Sequence, residues 1–326
     1  MISIPRRTLA VLAALLSSVG AVACGDDDTS DSGGSADTPA ADSKAIQRDA
    51  ANASKPTITV GSKNFTEQFI LGEIYAQTLE AQGFKIKRRL NLGSEQVAYK
   101  ALKGGSINMY PEYTGTALTS FFDVKTEDVP KDPDEAYEQA KEKYAEQDIT
   151  ALARTPFQNT YIIASTKPTA EKAGNPMTAS DLFSKSPNLS ISGFPECRQR
   201  QDCLLGLRSV YGFKGKFVSS DGKFNDLDGK QSDLTLAFST DPQLALTDKY
   251  TAYEDDKQFF PPYNITLGIR NSTVQSIGDK AVSTLEAVQE GMTEEAMREL
   301  NRRVELDKQQ PKKVAADYLS EEGFVS

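Results

Sequence analysis

Apolar positions along the 326-residue chain change their spacing repeatedly, and each change marks an element. Residues 57–61 are β-branched and end in Gly61, which predicts a short strand. Ile70, Leu71, Ile74, Tyr75 and Leu79 then recur at helical spacing, predicting a helix over 67–82 with Gly83 at its C-cap. A partly alternating strand follows at 84–90, then a helix at 95–103 and a strand at 107–110. A charged surface helix is expected at 134–147, and helix and strand patterns alternate again from 161 to 253. The C-terminal part reads as a strand at 265–270 and helices at 277–290, 293–304 and 312–320. No internal repeat is evident. Strand–helix alternation of this kind implies α/β sheets, which place ligands at the carboxyl ends of their strands. Lys63 follows the first strand and Tyr113 the third, so both occupy such positions.

The N-terminal pattern is different. Arg6 and Arg7 precede an apolar run at 9–22 that is too short to span a bilayer and reads as a secretion signal. The run ends in Ala21-Val22-Ala23-Cys24-Gly25, which looks like a bacterial lipobox, with Ala21 where Leu is commoner. Residues 1–23 are therefore expected to be a lipoprotein signal peptide and Cys24 the lipidated mature N-terminus; the plainer alternative is an ordinary signal peptide cut nearby. Residues 24–55 hold almost nothing apolar beyond small residues and are expected to form a flexible acidic tether. Asp26-Asp27-Asp28 belongs to that solvated linker, not to a metal site.

Composition narrows the chemistry. Loss of the two signal arginines takes the formal net charge from −9 to about −11. An acidic body argues against nucleic acid and against adhesion to an anionic bilayer, leaving a lipid anchor as the membrane attachment. The location expected is extracytoplasmic, anchored to the cell membrane. The chain contains no His and no Trp. A Ser-His-Asp triad is thus impossible, and neither a cofactor nor a metal is expected. With Cys24 lipidated, Cys197 and Cys203 remain as an even pair in an oxidising compartment; a disulfide is favoured over two free thiols, and a zinc site lacks ligands.

Two strings are distinctive: Gly61-Ser62-Lys63-Asn64-Phe65-Thr66-Glu67-Gln68 and Tyr110-Pro111-Glu112-Tyr113-Thr114-Gly115-Thr116. With Phe259-Phe260-Pro261-Pro262-Tyr263-Asn264 downstream, they resemble the substrate-binding proteins of glycine betaine/choline ABC importers, the ProX/OpuC-like family. The resemblance covers nearly all of the body after the tether. It implies a two-lobed type 2 periplasmic-binding-protein fold with the ligand cleft between the lobes. Lobe one would take 56–157 plus 260–326, and lobe two 158–259.

It also implies a site. Tyr113, Tyr161, Phe238 and Tyr263 would form an aromatic box for a quaternary ammonium, with Phe238 standing where the family often has Tyr. Tyr110 is expected to face the core and Tyr113 the box. Lys63 and Thr116 would meet a ligand carboxylate from lobe one, and Arg200, four residues after Glu196, from lobe two; Arg198 is a second candidate for that clamp. The chemistry is coherent, because a quaternary ammonium donates no hydrogen bond but is attracted to aromatic faces by about 0.5–2 kcal/mol each. The function expected is a monomeric solute receptor, not an enzyme, that closes on glycine betaine first, choline or carnitine next, and delivers it to an ABC permease and its ATPase. The rivals are a lipid-anchored hydrolase of carboxylate-pair type, which would lack the Trp platforms glycan sites usually use, and a signalling lipoprotein without a transport role.

Overall fold

The structure is a computed structural model that describes residues 44–325. The signal sequence and the lipidation site at Cys24 lie outside the described residues. Among the described residues ten strands form two five-stranded sheets. The first has the order β2 (Ile86–Arg89), β1 (Ile58–Gly61), β3 (Met109–Tyr113), β10 (Ile265–Arg270), β4 (Ile149–Ala151). The second has the order β7 (Phe217–Ser219), β6 (Ile191–Gly193), β8 (Leu234–Phe238), β5 (Tyr161–Thr166), β9 (Tyr250–Tyr253).

The two sheets share one scheme. In the first, β1 is parallel to β2 and β3, and β10 is antiparallel to β3 and β4. In the second, β6 is parallel to β7 and β8, and β5 is antiparallel to β8 and β9. In each case the antiparallel strand is the first one after the chain has crossed from the other sheet: β5 after residues 152–160, β10 after residues 254–264. The likeness has no counterpart in the sequence, because burial pattern and connection length, not residue identity, dictate it.

Helix α1 (Thr66–Ala81) follows β1 and is buried around most of its circumference, including Gln68, Ile70, Leu71, Ile74, Tyr75, Thr78 and Leu79. The C-terminal helices Asp279–Glu290, Glu294–Glu305 and Pro311–Glu321 wrap it. Gly83 ends the turn after α1 with φ +97°; a Cβ there would meet the Asp49 carbonyl oxygen at 2.6 Å. That contact lies at the end of the expected tether, of which residues 24–43 lie outside the described residues. Residues 44–55 are docked on the body: Ile46 donates its N–H to Phe324 O, Asp49 to Gln82 O, and the buried Asn52 side chain also donates to Gln82 O. Ile46 packing, a capped turn and the Lys55 ammonium on Ile277 O help to hold a stretch that composition alone assigns to linker.

Two further elements differ from expectation. The strand expected at 107–110 is Met109–Tyr113 and continues through Pro111. β3 pairs with β1 only at Met109, while its pairing with β10 runs the whole length of the strand. The helix expected at 277–290 is Asp279–Glu290, and an unexpected helix, Asn271–Ile277, precedes it, the two separated at Gly278, which has φ +81°.

Candidate ligand-binding cleft

The carboxyl ends of β1, β3, β6 and β8 and both crossings face one narrow cleft that is partly open to solvent. Lys63 lies just beyond β1, Tyr113 ends β3, and Thr116 closes the helical turn Thr114–Thr116 that follows. Tyr161 begins β5 and Phe238 ends β8, and these two are direct partners across the antiparallel pair. Tyr263 lies two residues before β10, and Arg200 caps the 3-10 turn Pro195–Gln199 after β6. All seven side chains assigned to the site from sequence line this cleft. Arg198 does not: it is exposed, stands over the Phe217 ring and donates to Ser219 Oγ.

The rings form one continuous wall. The Tyr161 centroid is 5.3 Å from Phe238 and 5.6 Å from Tyr263, the latter edge-on at 89°. Two rings not assigned from sequence complete it. Phe65 lies 6.0 Å from Tyr113 and 5.5 Å from Phe238, and Phe194 lies 6.0 Å from Phe238. Both were signalled: Phe65 is inside the Lys63 string, and Phe194 immediately precedes Pro195-Glu196. Asn64, Glu95, Asn159 and Glu196 also line the cleft; Asn64 and Glu196 lie within the quoted motifs, Asn159 lies two residues before Tyr161, and Glu95 carried no sequence signal. Tyr110 is fully buried behind the site, with its hydroxyl on Glu112.

Buried carboxylates set the positions of the polar groups. Lys63 Nζ is paired with Glu112 and stands 4.4 Å from the Tyr113 ring centroid. Glu112 Oε1 also accepts the Tyr113 N–H at 2.8 Å. Arg200 donates from Nε to Asp202 Oδ1 at 2.8 Å and from Nη2 to Asp202 Oδ2, reaches Thr116 Oγ1 at 3.2 Å, and lies 3.8 Å from Glu95. Asp202 Oδ2 accepts the Tyr263 hydroxyl at 2.7 Å and Thr119 Oγ1 at 3.1 Å. Burial alone would raise the Asp202 pKa, but the Arg200 charge and these donors hold it below the usual carboxylate range. Glu196, half-buried at the rim, moves the other way: burial raises its pKa, and the nearby Glu95 charge adds to the rise. Cys197 and Cys203 are joined in a disulfide, so the loop that presents Arg200 is closed on itself.

Among the described residues no cluster of His, Cys, Asp or Glu is arranged to hold a metal ion, and no helix is long and apolar enough to cross a membrane. The arrangement is therefore a small, ring-walled cleft with two paired cations at its edge.

Comparison with known proteins points the same way. The OpuAC family, described as the substrate binding domain of ABC-type glycine betaine transport system, matches residues 56–321. The ergothioneine transport permease/ergothioneine binding protein EgtU of Helicobacter pylori is 31% identical over 275 residues, 83% of this chain and 48% of that protein, so this chain spans about half of that relative. A glycine-betaine-binding protein of Pseudomonas aeruginosa is 31% identical over 280 residues, 81% of this chain and 88% of the relative. Among solved structures, a glycine betaine/carnitine/choline ABC transporter protein superposes with a TM-score of 0.65 at 26% identity, covering 81% of this chain and 98% of the other.

Proposed function

Because the chain belongs to the family of substrate-binding domains of ABC-type glycine betaine transport systems, we propose that its cleft captures a quaternary-ammonium solute, glycine betaine first and choline or carnitine next, and delivers it to an ABC permease driven by its ATPase. It is a solute-binding protein and not an enzyme. The observation that carries the reading is the convergence of Tyr113, Tyr161, Phe238 and Tyr263, joined by Phe65 and Phe194, on one cleft bordered by Lys63 and Arg200. A trimethylammonium head sits against the rings, and each good face contributes about 0.5–2 kcal/mol. Several faces together reach micromolar affinity, about −8 kcal/mol, without an ion pair to the head.

The carboxylate end of a betaine meets Lys63, Thr116 and Arg200. Both cations are already paired with carboxylates, yet neither is saturated. An ammonium carries three donors and a guanidinium five. The bonds to Glu112, Asp202 and Thr116 leave hydrogens on both for a ligand. The donors come from both sheets' segments, so a bound ligand bridges them and favours a closed arrangement. We take lobe one as 56–157 plus 260–326 and lobe two as 158–259, acting as a monomer held to the membrane by lipid on Cys24 alone. The protein thus works outside the cytoplasm.

The name of the Helicobacter pylori relative makes ergothioneine a further quaternary amine to include in the test. Isothermal titration of the body from residue 44 with glycine betaine, choline, carnitine, ergothioneine and proline tests the proposal. One-to-one binding of a quaternary amine with proline silent is the expected result. Silence from every quaternary amine overturns it.

A further inference from the structure

Glu67 belongs to neither the ring wall nor the cation pairs, yet it is the most elaborately held carboxylate near the cleft. It lies in the first turn of α1 and is 2% exposed, and no lysine or arginine pairs with it among the described residues. Four donors from four different parts of the chain converge on it. Oε1 accepts the Tyr113 hydroxyl at 2.8 Å and Asn159 Nδ2 at 2.9 Å; Oε2 accepts Thr240 Oγ1 at 2.6 Å and Asn301 Nδ2 at 3.1 Å. Tyr113 ends β3 in the first sheet, Asn159 is on the first crossing, Thr240 follows β8 in the second sheet, and Asn301 is on the helix Glu294–Glu305.

A carboxylate offers about four acceptor sites, and here all are used. Burying a charge without a counter-ion is costly, and an apolar residue of similar volume often leaves a fold equally stable or more so. Stability is therefore a poor reason for Glu67. The Asn159 and Asn301 amides both turn their nitrogens to it and leave their own Oδ1 atoms without a partner, so the carboxylate dictates how they point. The second crossing is tied in as well: the Asn159 N–H donates to Tyr263 O at 3.0 Å, and Asn301 also reaches Thr240 O at 3.1 Å.

We propose that Glu67 is a positioning residue that couples the box to closure: through the Tyr113 hydroxyl it fixes one ring of the wall, and through Asn159 and Thr240 it ties that ring to the chain passing between the sheets. Rotation of one sheet against the other then moves a ring in contact with the ligand, and a ligand pressing on that ring biases the rotation. The affinity part of this inference rests on the cleft being the quaternary-ammonium site; the coupling itself does not.

The test uses the full chain and two measurements. In hydrogen exchange without ligand, Glu67→Leu is expected to raise exchange at least tenfold in three separated stretches together, 109–116, 155–161 and 238–241. Thr240→Val is expected to do the same more weakly, and Thr240→Ser to restore wild-type protection. In titration with the best-bound quaternary amine, Tyr113→Phe is expected to weaken binding at least threefold alone but less than twofold in the Glu67→Leu background, because the hydroxyl acts mainly through its bond to Glu67. If Glu67→Leu does not fold, the Thr240 pair decides. Exchange that changes only around residues 64–70, or Thr240→Val protected like wild type, overturns the inference. Wild-type protein that binds no quaternary amine counts against the proposed function, while the ligand-free exchange still decides the coupling.

Discussion

The rings of the cleft are held in place in two ways, by hydroxyl bonds to buried carboxylates and by ring packing alone. Tyr113 and Tyr263 point their hydroxyls at the buried carboxylates Glu67 and Asp202. Phe238 has no such handle and is fixed by packing: Tyr161 is its partner across the strands, and Phe65 and Phe194 stand within 6.0 Å. A Phe here keeps the aromatic face, so Phe238→Ala and Tyr161→Ala are each expected to weaken binding at least tenfold in calorimetry without unfolding the protein. Arg200→Ala is expected to cost glycine betaine at least tenfold and choline less than threefold, since only the betaine presents a carboxylate. The two carboxylates that hold the tyrosines give opposite pH signatures. Asp202 lies below its ordinary value of 3.8, because Arg200 and its donors outweigh burial, so the stability it contributes is complete above that value and is lost as pH falls through the lower folded value. Glu67 lies above its ordinary value of 4.5, because burial outweighs its four hydrogen bonds. The folded state holds that proton more tightly, and stability falls as pH rises from 4.5 through the raised value. Denaturant titrations from pH 4.5 to 8 are expected to show this decline in wild type and a flatter profile in Glu67→Leu. Residues inside distinctive strings, such as Tyr113 and Lys63, were legible in the sequence. Phe65 and Phe194 were not assigned because a Phe beside a motif reads as core until its neighbours in space are known.

Elements place these residues through a few local constraints. Gly115, between Tyr113 and Thr116, lets the chain pass close to the Pro261-Pro262-Tyr263 segment: a Cβ there would meet Pro262 O at 2.7 Å and Tyr263 Cδ1 at 3.0 Å. Gly115→Ala is therefore expected to displace the Tyr263 ring, weakening binding at least tenfold and costing about 1–3 kcal/mol of stability. The Cys197–Cys203 bond closes a six-residue separation around Arg200. By loop-closure entropy its loss costs about 2 kcal/mol, and the paired Cys197→Ser, Cys203→Ser variant is expected to show that drop in chemical denaturation. The strand at 265–270 was legible to its ends because an apolar β-branched run is bounded by Asn264 and Asn271. The third strand runs past the expected 107–110 through Pro111, a residue that ordinarily ends a strand, because its pairing with β10 continues there from Pro111 opposite Leu267 to Tyr113 opposite Ile265.

At the scale of the molecule, the shared scheme of the two sheets puts both crossings and the main strand ends at one cleft, and that arrangement was legible only as a class. Period and length indicated α/β sheets and a ligand at strand ends; which strand enters which sheet depends on pairing between segments as distant as Tyr113 and Ile265, which no local pattern encodes. The docked segment at 44–55 is the same lesson at the N-terminal side, since its partners are Gln82 and Phe324. The proposed recognition is of a positive charge by aromatic faces, not merely of a bulky head. Its most direct measurement is calorimetric titration with choline and with 3,3-dimethylbutan-1-ol, which has the same shape with carbon in place of the charged nitrogen, alongside glycine betaine and 3,3-dimethylbutanoate. Two or more good faces supply roughly 3 kcal/mol, about a hundredfold, so the charged member of the better-bound pair is predicted to bind at least a hundred times more tightly. Equal binding of the charged compound and its carbon twin would contradict the account.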